Sequence, residues 1–209
     1  MRIRVAIAIG LALTIVAVSV SLARSPLVRA GTDGTPLPTE IGANAVPTTI
    51  CQGEETLPAG TTAIRVSMLS LLGPKIKLVA SAEGQTVTTG ELGSGWTGSV
   101  VAIPVHRVVG THAHAKVCIS LAKRQQLVNL RGANTKFSPA VTEGKQVLPG
   151  RMRFEYLRPD NKSWLSLALP TARRIGLTVG GGGLIVVVPL MLLLSAAALT
   201  SWLLIRDLR

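Results

Sequence analysis

The feature that most constrains this chain is an uncharged apolar run of 22 residues, Leu184–Ile205. As an α-helix it would be about 33 Å long, enough to cross the hydrocarbon core of a bilayer. Pro189 lies within it, which membrane helices tolerate, and Arg206 and Arg209 follow it. A buried helix that is apolar on every face would need a much larger protein around it. The run therefore predicts a transmembrane helix, with 206–209 as a short basic cytoplasmic tail.

A second apolar run, Val5–Ala23, lies near the N-terminus behind Arg2 and Arg4. As a helix, its 19 uncharged residues would nearly span a bilayer core. The segment also fits a secretory signal peptide, although the apolar stretch of such a peptide is usually shorter. We therefore favour an uncleaved anchor over residues 1–23, with a removed signal peptide as the alternative. Either route predicts a protein of the cell membrane, with the bulk of the chain extracytoplasmic.

Between these two apolar runs the amino-acid composition changes twice. Residues 24–50 are rich in Pro, Gly and Thr and lack a hydrophobic period, which is typical of a linker. Over 51–160, short β-branched runs alternate with turn residues, and 161–183 form a juxtamembrane connection. The pattern predicts a mainly β fold: a single antiparallel β-sandwich-like domain flanked by N- and C-terminal transmembrane helices. The expected strands are Ala63–Leu69, Lys75–Ser81, Gln85–Thr89, Ser99–Val105, Ala115–Leu121, Gln126–Leu130 and Met152–Leu157.

The chain contains two cysteines, Cys51 and Cys118. In an exported domain they are able to form a disulfide, because the compartment is oxidising. A bond across 67 positions would stabilise the folded domain by about 4 kcal/mol in the chain-entropy account of such cross-links. We expect this disulfide, with two buried thiols as the alternative.

Few residues follow the patterns of catalytic or metal sites. On a strand, His112 and His114 would point the same way, as a metal pair requires, but the neighbouring sequence lacks acidic residues that could complete the ligand set. We expect exposed histidines and no metal or other cofactor. Glu54 and Glu55 are adjacent and predict solvated charges in a loop. The sequence has neither a Gly-x-Ser-x-Gly elbow nor a phosphate-binding glycine loop, so we expect a protein that is not an enzyme.

An aromatic residue and an excess of basic residues are the candidate binding features. Trp96, in a glycine-rich segment, predicts either an exposed platform for a ligand or, more commonly, an indole folded over the edge of the domain. Between Arg24 and Arg174 the chain has 18 Lys and Arg against 9 Asp and Glu. This excess favours anionic lipids or wall polymers as partners. Nucleic acid is not expected, because export and the lack of interleaved aromatic and basic residues argue against it.

The juxtamembrane connection carries two further patterns. Trp164, Arg173 and Arg174 predict a segment that lies at the membrane interface. Gly176 and Gly180 match the Gly-x-x-x-Gly pattern of close helix packing, which would allow a homodimer. A flexible entry to the membrane is the alternative explanation of these glycines.

Three segments carry a resemblance to other proteins. They are the run CQGEETLPAGTTAIRVSM from Cys51, the run VCISL around Cys118, and RFEYLRPDNKSWLSLALPTARRIGL before the last apolar run. Together they resemble uncharacterised membrane-anchored envelope proteins of high-GC actinobacteria. The resemblance implies a bacterial cell-surface setting and no particular activity.

These observations predict a membrane-anchored extracytoplasmic β-domain with a non-enzymatic interaction or scaffolding role at the cell envelope. Its expected partners are the lipid bilayer and other envelope or membrane proteins. One alternative is a module that binds an envelope glycan or an anionic polymer. Another is a metal-dependent hydrolase that uses the histidines.

Overall fold

The structure is a computed structural model that divides the chain into two units. Residues 27–159 form a β-domain, and the described residues before and after them belong to a second unit. The structure describes residues 2–36, 39–44, 48–122, 127–137, 139–142, 146–164, 166–167 and 170.

The second unit contains one long helix among its described residues, α1 (Arg2–Ala23). The large apolar side chains that are described along it, from Ile9 to Leu22, are exposed. Among the residues whose side chains the structure describes, no helix is both long and apolar enough to cross a bilayer. The predicted helix over 184–205 lies outside the described residues. Both membrane crossings therefore stay predictions.

Two backbone hydrogen bonds join the residues that follow α1 to the segment that follows the β-domain. The amide of Asp160 donates to the carbonyl of Pro26 at 2.8 Å, and the amide of Trp164 donates to the carbonyl of Arg24 at 3.1 Å. Within this unit, the chain that leads into the β-domain and the chain that leaves it lie side by side.

The described part of the β-domain forms 13 strands. They are β1 (Leu27–Thr32), β2 (Thr39–Asn44), β3 (Thr48–Leu57), β4 (Ala63–Val66), β5 (Met68–Leu69), β6 (Ile76–Ala82), β7 (Gln85–Leu92), β8 (Val101–Pro104), β9 (His112–Leu121), β10 (Val128–Asn134), β11 (Val141–Thr142), β12 (Gly150–Met152) and β13 (Phe154–Pro159).

These strands form three antiparallel sheets around one hydrophobic core. Sheet A has the order β1-β13-β4-β8, sheet B has the order β12-β10-β2 with β5 also paired to β10, and sheet C has the order β11-β3-β9-β6-β7. Alternation places the apolar residues inside: β6 buries Ile76, Leu78 and Ala80 and exposes Lys77 and Val79. All three sheets contribute buried apolar side chains to one cluster. The predicted mainly β, sandwich-like class is confirmed.

Two predicted strands are each divided between sheets. Ala63–Leu69 becomes β4 in sheet A and β5 in sheet B, and Met152–Leu157 becomes β12 in sheet B and β13 in sheet A. The breaks lie at Ser67 and Arg153, where the amide of Ser67 donates to the carbonyl of Arg153 at 3.2 Å. The two breaks form one corner at which the chain changes sheet.

The structure differs from the expectation of a linker over 24–50. That segment contains β1, which pairs with β13, and β2, which pairs with β10. Ile41 of β2 is buried in the core, whereas β1 has no buried residue and forms by pairing with β13. The β-domain therefore begins at Leu27, and Cys51 lies inside a strand.

Candidate functional site

The β-domain encloses a carboxylate, that of Glu55 in β3. It is fully buried, so the expectation of a solvated charge is wrong for this residue. The hydroxyl of Tyr156 donates to Glu55 Oε2 at 2.6 Å, and Gln52 Nε2 donates to Glu55 Oε1 at 2.6 Å. Arg151 Nη2 donates to the same Oε1 atom.

Burial governs the titration of this network. It raises the pKa of Glu55 above the usual carboxyl value, although hydrogen bonds from Tyr156 and Gln52 and the charge of Arg151 oppose the effect. Burial also raises the pKa of Tyr156, and the facing carboxylate raises it further, so the phenol stays a donor. Glu55, Arg151 and Tyr156 come from sheets C, B and A respectively, so the network joins the three sheets.

The side chain of Gln52 closes the network against the backbone. Its Oε1 accepts from the amide of Met152 at 2.7 Å, and its Nε2 donates to the Met152 carbonyl at 3.1 Å. Sequence reasoning missed this network, because its polar residues are far apart along the chain and only the sheet pairing brings them together. Its enclosure makes it a structural element of the core.

The predicted histidine pair does not converge on one point. His114 has a φ of +52° and therefore departs from the regular alternation of a strand. Its Nδ1 contacts Glu54 Oε2, whereas His112 Nε2 contacts the carbonyl of Val109 at 2.9 Å. Within the described ranges, no three His, Cys, Asp or Glu side chains form a group that could hold a metal ion.

The predicted disulfide between Cys51 and Cys118 is present. The two residues lie directly opposite each other on β3 and β9, in the centre of sheet C. Both are half-buried, and Val79 of β6 continues the same row. The bond therefore reinforces the pairing of two adjacent strands on the outer face of sheet C.

Trp96 packs against the domain edge, as the alternative to an exposed platform proposed. Its Nε1 donates to the carbonyl of Pro74 at 2.8 Å, and its ring packs against the hydrophobic core. The ring also lies over Gly73, where an added Cβ would come within 1.9 Å of it. The half-buried indole thus presents little surface for a ligand.

Of the predicted interface and packing residues, only Trp164 is described. Its side chain is 53% exposed and its backbone bonds to Arg24. The residues Arg173, Arg174, Gly176 and Gly180 lie outside the described residues, so their roles stay predictions.

A groove of about 640 Å³ runs along the outer face of sheet C beside the end of β8. Val79, Pro104 and Val105 supply apolar surface to it. Its basic side chain Lys77 is paired with Glu91 at 3.5 Å, and Lys75 is also paired with Glu91 at 2.6 Å. The lining contains His106 but no Phe, Tyr or Trp, so the groove lacks the large stacking surface typical of sugar sites.

Three basic side chains surround Glu155 of β13. Arg153 Nη2 lies 2.8 Å from Glu155 Oε1, Arg65 Nη1 lies 3.0 Å from Oε2, and Arg29 Nη1 lies 3.8 Å from Oε1. We call Arg29, Arg65 and Arg153 the arginine cluster. Desolvation would raise the pKa of Glu155, but hydrogen bonds from Arg153 and Arg65 outweigh it and lower that pKa.

Comparison with known proteins adds little to this geometry. No protein-family model matches the chain, and no curated protein matches it. Among solved structures, the chain is similar to CsCBM6-3 from Clostridium stercorarium, which was solved in complex with cellobiose. The similarity has a TM-score of 0.27 and 11% identity, and it covers 52% of this chain and 92% of that chain. A similarity this low does not bear on activity or ligand.

Proposed function

We propose that the β-domain is an extracytoplasmic module tethered to the membrane, with a non-enzymatic interaction or scaffolding role at the cell envelope. The observation that carries the proposal is the disulfide Cys51–Cys118. Disulfides form and persist in oxidising compartments and are rare in the cytosol. A half-buried bond on an outer face of a sheet would be accessible to cytosolic reductants, so its place in this domain favours export.

The tether is supported by helix α1 and by the sequence near the C-terminus. The exposed apolar side chains between Ile9 and Leu22 would meet water if the helix were free in solution. A bilayer would remove that surface from water. The uncharged run Leu184–Ile205 provides a second segment of spanning length, and the lipid bilayer is thus the first proposed partner.

The non-enzymatic role is supported by where the titratable groups lie. Glu55 is closed inside the core, while His112 and His114 contact different partners. General acid–base catalysis requires a group with access to substrate, and a hydrolytic metal requires ligands that converge. A metal-dependent hydrolase therefore finds no support among the described residues.

Site-specific proteolysis tests the compartment. A recognition sequence for a specific protease is inserted at the exposed Glu83–Gly84 turn between β6 and β7, and in a matched variant after Arg209. In protoplasts of the host, added protease should cut the first variant and leave the second intact until detergent is added. Protection of the Glu83–Gly84 site until detergent is added would refute the proposed location.

A second candidate function is the binding of an envelope glycan or anionic polymer. The arginine cluster favours the anionic polymer, because three guanidinium groups face one carboxylate. The packed position of Trp96 gives no comparable support to a neutral glycan.

A further inference from the structure

We propose that the arginine cluster binds the oxyanion groups, phosphate or carboxylate, of an envelope polyanion. The inference deepens the second candidate function and rests on it. Guanidinium groups present several N–H donors in a planar arrangement that matches phosphate and carboxylate oxygens. The occupant we infer is a polymer with repeated negative charges.

The arginine cluster has more positive charge than the carboxylate that it surrounds can neutralise. Arg29, Arg65 and Arg153 surround a single carboxylate, Glu155, so the group has a net charge of about +2. One arginine would have been enough to neutralise that carboxylate. Like charges held close together repel each other. The single carboxylate of Glu155 offsets only part of the repulsion among the three arginines. An external anion would offset the remaining repulsion.

Two arginine side chains of the cluster are more exposed to solvent than the carboxylate is. The exposed fraction of the side chain is 60% for Arg29 and 43% for Arg65, compared with 13% for Glu155. The carboxylate is therefore covered, while two of the cations reach solvent. A polyanion that approaches sheet A would meet the guanidinium groups before the competing carboxylate.

Two arginine side chains of the cluster are held in place by hydrogen bonds before any ligand binds. Arg65 and Arg153 each donate a hydrogen bond to Glu155, which restricts the rotamers of both long side chains. The neighbours of this row are small: Thr32 lies opposite Glu155 and Ala102 lies opposite Arg65, and both are exposed. Restricting an arginine before binding lowers the entropy cost of binding. No bulky side chain of this row stands over the cluster.

A polymer fits this surface better than a single ion does. Exposed charges interact weakly with one small anion, because water and salt screen them. Repeated charges on one chain act together and raise the effective concentration at each further contact. The excess of 18 basic over 9 acidic residues between Arg24 and Arg174 extends the attraction beyond the cluster.

The test uses the full chain in mild detergent and two probes, long-chain polyphosphate and polygalacturonate. The cluster variant combines Arg29→Gln and Arg65→Gln, and the control variant combines Arg107→Gln and Lys116→Gln, two exposed residues outside the cluster with the same total charge. We expect the cluster variant to bind at least one polymer about tenfold more weakly than the control does. Added salt should weaken binding of the wild type more than binding of the cluster variant.

Several results would overturn the inference. One is equal weakening in both variants, which would mean that net charge alone attracts the polymer. Another is binding to neither polymer, even if the protein binds vesicles of anionic lipid in a separate assay. If the double variant loses its β-sheet circular dichroism, Arg29→Gln alone replaces it, because Arg29 is the most exposed of the three.

Failure of this site and failure of the proposed location can be told apart. The polymer assay uses purified protein and does not depend on the compartment, whereas the proteolysis assay does not depend on the arginines. A domain cut in intact protoplasts whose cluster variant binds like the control would lose the binding site only. A domain protected from protease whose cluster variant binds weakly would keep the polyanion site but lose the extracytoplasmic location, and with it an envelope polymer as the occupant.

Discussion

Replacing Arg151 by methionine would test how the core tolerates a buried carboxylate. The substitution removes the cation beside Glu55 Oε1 and keeps a long side chain in its place. Removing one partner of a buried ion pair costs about 3–5 kcal/mol, because the remaining charge stays buried without compensation. Glu55 would retain its hydrogen bonds from Tyr156 and Gln52, so we expect the lower end, about 3 kcal/mol at neutral pH.

The loss should depend on pH in a defined direction. Burial raises the pKa of Glu55 in the folded wild type, so the folded protein binds this proton more tightly than the unfolded protein does, and stability falls as pH rises from the usual carboxyl pKa to the folded one. Without Arg151 the folded pKa rises further and this fall becomes larger. Near pH 4 the Glu55 carboxyl is largely neutral in both the folded and the unfolded protein. We therefore expect Arg151→Met to lower the free energy of unfolding there by only about 1 kcal/mol, from lost hydrogen bonds.

Urea denaturation of the full chain in mild detergent, followed by circular dichroism at pH 4 and pH 7, measures both values. Arg158→Met is the matched control, because Arg158 is exposed on β13 and should tolerate the change. An equal loss for Arg151→Met at both pH values would refute the reasoning about Glu55. A loss below 1 kcal/mol at pH 7 would do the same.

Three further predictions concern other parts of the β-domain. Replacing Cys51 and Cys118 by alanine should lower the free energy of unfolding by up to about 4 kcal/mol for a 67-residue separation, measured by urea denaturation. Gly73→Ala should cost about 1–3 kcal/mol and shift the fluorescence of Trp96, because the new Cβ meets the indole. The lowered pKa of Glu155 contributes stability above the usual carboxyl pKa that is lost as pH falls through the folded value. Glu155→Gln should remove this part of the acid dependence, measured between pH 6 and pH 3.

Each of these predictions has its own control. Reductant added to the wild type should reproduce the effect of the double cysteine replacement, and an unchanged denaturation midpoint in both would contradict it. Gly93→Ala is the partner of Gly73→Ala, because no atom lies within 4 Å of a Cβ added there. Acid unfolding curves for Glu155→Gln and wild type that coincide would contradict the third prediction.

The fold class could be predicted because the alternation of apolar and polar residues that marks a strand is visible within each short segment of sequence. Ile76, Leu78 and Ala80 alternate with polar or exposed neighbours, and each of the seven predicted strands overlaps an observed one. The disulfide could also be predicted, since the expectation of export allowed such a bond and the two cysteines have no other partner of their kind. These features need no knowledge of which strands are neighbours.

The strands in 24–50 could not be predicted in the same way. Their composition, rich in Gly, Pro and Thr, is typical of a linker, and β1 and β2 form by pairing with strands more than 80 residues away in sequence. Tertiary pairing outweighs local propensity in such segments. The break at Ser67 was invisible for a related reason, because it depends on a hydrogen bond to the distant Arg153.

The candidate sites show the same limit. Arg153, immediately before β13, and Glu155, within it, alternate with Phe154 and Tyr156, so the sequence could have placed the two charged residues on one face. The sequence gives no register that would bring Arg65 opposite Glu155. The burial of Glu55 was equally hidden, since its partners Arg151 and Tyr156 are about 100 positions away.

The pairing of Leu27 with Pro159 at the end of the β1–β13 ladder has a mechanical consequence. The chain enters and leaves the β-domain at this same residue pair, so a force that separates the two connections would break the β1–β13 hydrogen bonds one pair after another. Such sequential opening loads few hydrogen bonds at once and therefore needs only a small force. The first and last strands would therefore peel away before tension reached the cystine in sheet C.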